Sequence, residues 1–591
     1  MRLNKNFTNG WIFVIISFTY KKEVLEVRKI NLLILASLFA LSLAFGGELK
    51  RIAEEKEIAS LQPGDILRWK LDTLIISPDG KHFAVIGMGL NKQFVYIDGK
   101  KGEAYDSVSQ PIFSSDSAHI FYIARAGEKN ILIVDGEEGK KYDSISDLSL
   151  SSDGEHYAYI AQLGDKMVVV VDGEERKRYD DITKGSLIFS HEGNHYAYIA
   201  GAEGKRFVVL DGKEGKLYES IKKESLMFSP NGKRFAFIAK SEGKWRCVID
   251  GNEGGEFEEI PAIGFSSDSE HIAYVGQKEG KAFLVLDGQK SKGYDAILAV
   301  KFGGKGKHIA YIAKDGDKQM VVLDGKEGKP YDQIWAEWLV FSPDGEHITY
   351  PARNGDERYM VVDTNEIGPY EGVGFPLFSS DGSRLAYLIK KGDKFAYVVD
   401  GKVEKFYEEV GKSYFTPLGT HFLYWARIGK KYTYVIDGKE GKQYDGISYP
   451  VFSQKGERIA YRGWISKEGK NFLIVDGNEW AQYDEFINSD LLTFTPDGKH
   501  LIYALETKYL INASAFTICV DKNKGKEYTL YTPWVKNKYI VLSKLVVDSS
   551  QEFHYLACIQ QNSKAMTNLF GQDISVGQPT VFYLITERLS E

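Results

Sequence analysis

The sequence predicts an all-β chain of tandem β-propellers, made of about thirteen four-stranded antiparallel blades. Three observations predict it. A turn of the form S-x-D-G recurs every 37 or 39 residues until the last step, a second Asp-Gly turn follows each by about 21 residues, and the flanking segments are rich in β-branched and aromatic residues.

The first turn appears at Ser77, Ser114, Ser151, Ser190, Ser229, Ser266, Gly303, Ser342, Ser379, Thr416, Ser453 and Thr495, with GGKG at Gly303 the most degenerate copy. The second appears at Asp98-Gly99, Asp135-Gly136, Asp172-Gly173, Asp211-Gly212, Asp250-Gly251, Asp287-Gly288 and Asp324-Gly325. It departs at Asp363-Thr364, resumes at Asp400-Gly401, Asp437-Gly438 and Asp476-Gly477, and decays at Asp521-Lys522. Asp-Gly supplies the positive φ that a tight hairpin needs. One unit reads as an entering strand (LYESI, 217–221), an inner strand ending at S-x-D-G, a third strand (RFAFIA, 234–239) and a fourth ending in V-x-D-G. Four short strands every 38 residues or so make a propeller blade, and the lack of helical stripes excludes a helical solenoid.

Histidine marks the same repeat. Ten of the eleven histidines stand five residues after the first residue of the turn, at His82, His119, His156, His195, His271, His308, His347, His421, His500 and His554; Arg234, Arg384 and Arg458 fill the other three units. A position that accepts His or Arg is structural rather than metal-binding or proton-transferring. His554 also marks a thirteenth unit near Ser549-Ser550-Gln551, whose turn has faded.

Thirteen units divide into seven plus six or six plus seven. The expected organisation is an N-terminal extension and signal peptide over 1–46, a linker over 47–62, a first propeller over 63–328 and a second over 329–591, with the alternative break near 290. The Trp335-Ala-Glu-Trp338 loop and the degenerate GGKG turn mark the irregularity at the first of these boundaries. A stray strand at Asp65–Trp69 opens the first unit, and the first strand of the chain is expected to complete the last blade, near VFYLITE (581–587).

Arg28 and Lys29 precede the apolar run 30–45, which ends in small residues as a secretory signal peptide does, so the remainder is expected to be exported, periplasmic or extracellular. Translation starting near Val27 would account for the odd first 26 residues; an uncleaved membrane anchor is the alternative reading. No membrane span is expected in the mature chain. With a formal charge of −7 spread over alternating Lys and Glu, no basic face recommends nucleic acid. Cys247, Cys519 and Cys558 show no C-x-x-C spacing and read as core residues, with a Cys519–Cys558 disulfide the alternative.

The segments SPDGKHFAVIG (77–87), FSPNGKRFAFIA (228–239) and FSPDGEHITY (341–350) resemble the WD-repeat-like propeller repeat of TolB and of prolyl-oligopeptidase-type enzymes. The resemblance implies the fold and, with it, a docking module, a substrate gate or, rarely, an enzyme. Residues 63 to about 510 carry it well, and the remainder more weakly. The V-x-D-G-x-E-G-K-x-Y-D segment and the doubled blade number depart from it.

No catalytic constellation is found. The G-x-S-x-G elbow, a hydrolase domain after 510, the sialidase S-x-D-x-G-x-x-W box and the phosphate loop are all missing. Asp-Gly turns account for the recurrent acids without calcium, and no metal or cofactor is expected. Binding residues are expected where the repeat is broken. In the second half the loops joining blades, and those joining strands two and three, carry Trp335, Trp338, Arg353, Tyr414, Trp425, Arg427, Tyr449, Arg462 and Trp464, whereas the first half carries mostly Lys, Glu, Gly and Ser. Aromatic residues and Arg are enriched at binding hot spots. The expected function is therefore non-catalytic binding of a protein or peptide partner on this loop face. A carbohydrate ligand is the alternative, and a propeller lyase or hydrolase the remote one.

Overall fold

The computed structural model describes residues 73–89 and 91–509, together with 5–8, 11–14, 50–61, 513–531, 546–549, 551–560, 565–567, 573–575 and 580–590. The apolar run 30–45 and the strand expected at 65–69 lie outside the described residues. Two compact units are distinguished, one of Met1–Ala53 with Glu587–Glu591 and one of Glu54–Thr586. In the smaller, Lys5–Thr8 pairs antiparallel with Trp11–Val14.

Thirteen sheets follow the thirteen sequence units; in the first twelve the strands are antiparallel and ordered a-b-c-d along the chain. They are called blades 1–13 here. Blade 3 runs Ser144–Leu150, Tyr157–Leu163, Lys166–Val171 and Glu174–Tyr179. The division of a unit into strands differs from the sequence expectation. In most blades the entering and inner segments form one strand, as in Ser220–Phe228 of blade 5, kinked where the register shifts between Lys222 and Met227, whereas in blades 2, 4, 8 and 11 they are two short strands that both pair with strand b. A bulge of this kind hides a single strand behind two runs of alternation. The fourth strand is the segment after the Asp-Gly turn. There Asp287 has φ +47 and Gly288 φ +81, the two positive values of a type I′ hairpin.

The last blade takes Lys50–Leu61 as its outer strand beside Thr580–Ser590, then Glu552–Gln560 and Val546–Val547. Residues 47–62, read from sequence as a linker, thus contain a strand. The first strand of the propeller completes the last blade, as the repeat order requires.

The S-x-D-G motif is explained by its own hydrogen bonds. Ser151 Oγ donates to the Asp153 carboxylate and accepts the His156 N–H at 2.9 Å. The His or Arg then reaches the Asp of its blade's second turn: His156 Nδ1 lies 2.9 Å from Asp172 Oδ2, and Arg384 Nε donates to Asp400 Oδ2 at 2.9 Å. Both side chains place a nitrogen at the same spot, which is why the position accepts either. The same Asp also accepts the first N–H of strand b, as in Ile272 N to Asp287 Oδ1 at 3.0 Å. Asp287→Ala orphans that N–H and frees His271. We expect a loss of about 1–2 kcal/mol, read as faster amide exchange of blade 6 than of blade 3.

Adjacent blades share apolar cores, built from strands b and c of one and a and b of the next. Blades 7 and 8, for example, bring together Ile312, Val321, Ile334, Leu339 and Tyr350, each at most 4 % exposed. Three further links join neighbouring blades. At the a–b turns, backbone approaches backbone or a short side chain: a Cβ on Gly345 would lie 2.1 Å from Gly304 Cα, and one on Gly193 would lie 2.8 Å from Ser151 Cβ. At strand d, long side chains span the gap, with Tyr407 OH donating to Glu440 at 2.9 Å and Lys405 Nζ pairing with the same carboxylate at 2.6 Å. On the opposite face, Asp143 accepts Lys129 Nζ from the preceding blade and the Gly164 N–H of its own. The spacing identifies strand a as inner and d as outer. It also accounts for the E-G-K-x-Y-D segment, whose Lys and Tyr meet the Glu of the next unit and whose Asp is held between two blades.

These contacts run through the succession without a gap at 290 or 328 among the described residues. His554 Nε2 of blade 13 lies 2.5 Å from Asp79 O of blade 1, and a Cβ on Gly80 would meet Val546 and His554. The GGKG and Trp335–Trp338 irregularities are places where blade 7 meets blade 8 and blade 8 meets blade 9.

Candidate functional site

In strand b, the residue that pairs with the middle of strand c is apolar in most blades: Ile86, Ile123, Ile160, Ile199, Ile238, Val275, Ile312 and Leu388. Blades 10 and 11 place Trp425 and Arg462 there, opposite Tyr434 and Leu473. Two residues further on stand Arg427 and Trp464.

Each of these tryptophans lies over a strand-a glycine. A Cβ on Gly411 would fall 1.7 Å from the Trp425 indole, and one on Gly446 2.0 Å from that of Trp464. Bare backbone at these points lets the indoles lie flat against strand a. Between the two blades opens a cleft of about 560 Å³, lined by Trp425, Tyr449, Trp464, Arg462, Asp445 and Asp490 among others. Tyr449 sits between the short strands Gly446–Ile447 and Val451–Phe452, just before Pro450, which cannot donate to a ladder, and its side chain is 74 % exposed.

Arg462 is the unusual member. Only 8 % exposed, it has its guanidinium between the rings of Trp464 at 4.4 Å and Phe486 at 4.1 Å. One hydrogen bond engages it, from Nη1 to Ile487 O at 3.1 Å, and Nε has no partner. Burial pulls its pKa below the usual arginine value.

The remaining candidates separate. Trp335 and Trp338 stack at 6.2 Å on the short helical turn Ala336–Trp338, and Trp338 meets Phe375 at 4.7 Å where Gly374 leaves room. Phe375 is 56 % exposed and held at φ +52, a conformation unfavourable for an aromatic residue. Arg353 Nη1 donates to Gly355 O of its own hairpin at 3.0 Å. Arg427 does the same to Gly429 O and is paired with Glu409 at 2.6 Å, which raises its pKa. Tyr414 packs against Phe452 in the core between blades 10 and 11. The structure therefore brings Trp425, Tyr449, Arg462 and Trp464 together, Trp335 with Trp338 in a second cluster, and leaves Arg353, Arg427 and Tyr414 in local contacts. Phe375, Phe486 and Asp490 were not singled out from sequence. Gly374, Gly411 and Gly446, each in strand a beneath a tryptophan, are the signal that could have found the aromatic floors.

Cys247 and Cys519 are fully buried in blade cores; the Cys558 side chain is outside the described residues. Among the described residues no group of three His, Cys, Asp or Glu is placed to hold a metal ion, and no helix is long and apolar enough to cross a membrane.

No protein-family profile matches the chain, and no curated protein matches it in sequence. Solved structures do. A eukaryotic initiation factor is 11 % identical over 71 % of this chain and 96 % of its own, with a TM-score of 0.29. TolB from Acinetobacter baumannii is 15 % identical over 43 % of this chain and 77 % of its own, at 0.20. The β-propeller domain of the Trilobed protease from Pyrococcus furiosus is 15 % identical over 44 % and 93 %, at 0.20. The propeller assignment rests on the thirteen sheets themselves.

Proposed function

We propose that this chain is an exported, non-catalytic β-propeller that binds a protein or peptide partner at the cleft between blades 10 and 11. The observation that carries the reading is the convergence of Trp425, Tyr449, Trp464 and Arg462 on one concave site, at positions where the other blades carry scaffold residues. Large rigid rings around a desolvated Arg make the composition of a binding hot spot. The second aromatic cluster, Trp338 with Phe375, extends the same kind of surface to blades 8 and 9.

A photo-crosslinking phenylalanine analogue placed at Tyr449 tests the reading in envelope extract. The expected result is a crosslinked protein that is absent when the analogue stands at Lys455, in an a–b turn on the opposite face. Crosslinking at Lys455 alone would move the partner to that face. Sugar binding is favoured by the same rings, since indole and phenol faces stack on pyranose rings; a glycan array that lights up and goes dark with Tyr449→Ala would replace the peptide reading.

A further inference from the structure

We infer that Arg462 is an anion-binding centre and that its ligand is a single Asp or Glu side chain carried on a peptide of the partner. The inference deepens the preceding reading and rests on it.

A guanidinium presents five N–H donors, and buried cations are ordinarily paired with a carboxylate. Arg462 has neither condition met: one carbonyl engages it, Nε is unpartnered, and no ion pair within 4 Å includes it among the described residues. Scaffold demands do not explain its presence, because Ile at the same register serves blades 1 to 5 and 7. What the position gains is a cation held in one orientation by two ring faces, at the wall of an open cleft. A planar carboxylate matches that fork.

The other charges in the cleft select the carrier. Asp445 and Asp490 line it too. Asp445 is occupied by Lys431 at 3.3 Å and the Ser466 N–H at 2.8 Å, whereas Asp490 has no ion pair among the described residues. A dianionic phosphate or a run of uronic acids would bring several negative charges against these carboxylates. A peptide brings one carboxylate to Arg462 together with N–H, hydroxyl or ammonium donors for Asp490, and offers apolar atoms to Trp425, Tyr449 and Trp464.

Panning a random twelve-residue peptide library on the full chain tests this. The expected winners carry an acidic residue flanked by Lys, Ser or Thr, and the synthesised winner alters tryptophan fluorescence. Changing its carboxylate to the amide, or Arg462→Ile in the protein, should weaken binding by at least about thirtyfold. Arg462→Ile installs the residue of the other blades, so its melting temperature is expected to be equal to or above the wild type. Arg462→Lys, which keeps charge and loses the fork, should fall between. The inference is overturned by winners without acidic residues, by no winners, by undiminished binding to Arg462→Ile, or by polygalacturonate or inorganic phosphate binding where the peptide does not. A partner crosslinked at Tyr449 and still captured by Arg462→Ile would sink the carboxylate while leaving the partner reading; peptide binding without any partner at Tyr449 would do the reverse.

Discussion

Acidification from pH 5 to pH 2 will lower the melting temperature of this chain progressively, because the links between its strands and blades end on carboxylates that the fold keeps ionised. In the a–b turns the serine hydroxyl depresses the pKa of Asp116, Asp153, Asp268 and Asp344, and two hydroxyls, from Ser379 and Ser383, bring Asp381 to about 2. At the blade entries, Lys92, Lys129, Lys281 and Lys318 depress Asp106, Asp143, Asp295 and Asp332. At strand d, Lys140, Lys177, Lys216, Lys329 and Lys405 do the same to Glu175, Glu214, Glu253, Glu366 and Glu440.

The sign is the same for all of them. Each folded pKa lies below its unfolded value of about 4, so the contribution is complete above pH 5 and is lost as protons bind through the folded pKa. Glu404 runs the other way, since burial raises its pKa and its protonation favours the fold; one such group does not offset the rest. Each exposed pair contributes little by itself, but the repeat multiplies it around the blades. Calorimetry from pH 7 to pH 2 checks the expectation. A melting temperature flat down to pH 2 would refute it. Because the Lys–Glu links are exposed, added salt should also shrink the difference between pH 7 and pH 3.

Much of this architecture was legible in the sequence because its signals are short-range. An Asp-Gly hairpin needs only its own two residues to take positive φ, so thirteen units could be counted, including one whose turn has faded around His554. The His/Arg position was legible as scaffold, and its shared reach to the second-turn Asp supplies the reason. Strand division was not legible: a bulge in strand a breaks the alternation, and Asn252–Glu253 is too short to show any. Nor were the partners of the E-G-K-x-Y-D segment, since Tyr142 meets Glu175 across 33 residues of chain. The cleft was half legible. Trp425, Tyr449, Arg462 and Trp464 stood out as breaks in the repeat, but the seats of the two indoles, Gly411 and Gly446, were not singled out. Arg353 and Arg427 looked equivalent to Arg462 by residue type. Their position at the end of strand b instead turns them back onto their own hairpin carbonyls.

Gly345→Ala will destabilise the chain far more than Gly401→Ala, and the comparison reads the packing of blade 7 on blade 8 directly. Both glycines have the same backbone demand, at φ +80 and φ +78, so both substitutions carry the penalty of a left-handed alanine, about 1–2 kcal/mol. Their surroundings differ. Around Gly401 a Cβ meets nothing within 4 Å; at Gly345 it would lie 2.1 Å from Gly304 Cα and 2.2 Å from Gly304 N, which are backbone atoms and cannot swing aside. Forcing two turns apart adds about 1–3 kcal/mol of overpacking, for a total of about 2–5 kcal/mol. Urea denaturation of the two variants, followed by amide exchange in blades 7 and 8, measures the difference. If the chain divides near residue 328 into two separately packed propellers, the two substitutions should cost the same. If the thirteen blades form one continuous succession, Gly345→Ala should loosen both neighbours together, with the shared core of Ile312, Ile334 and Leu339 exchanging first.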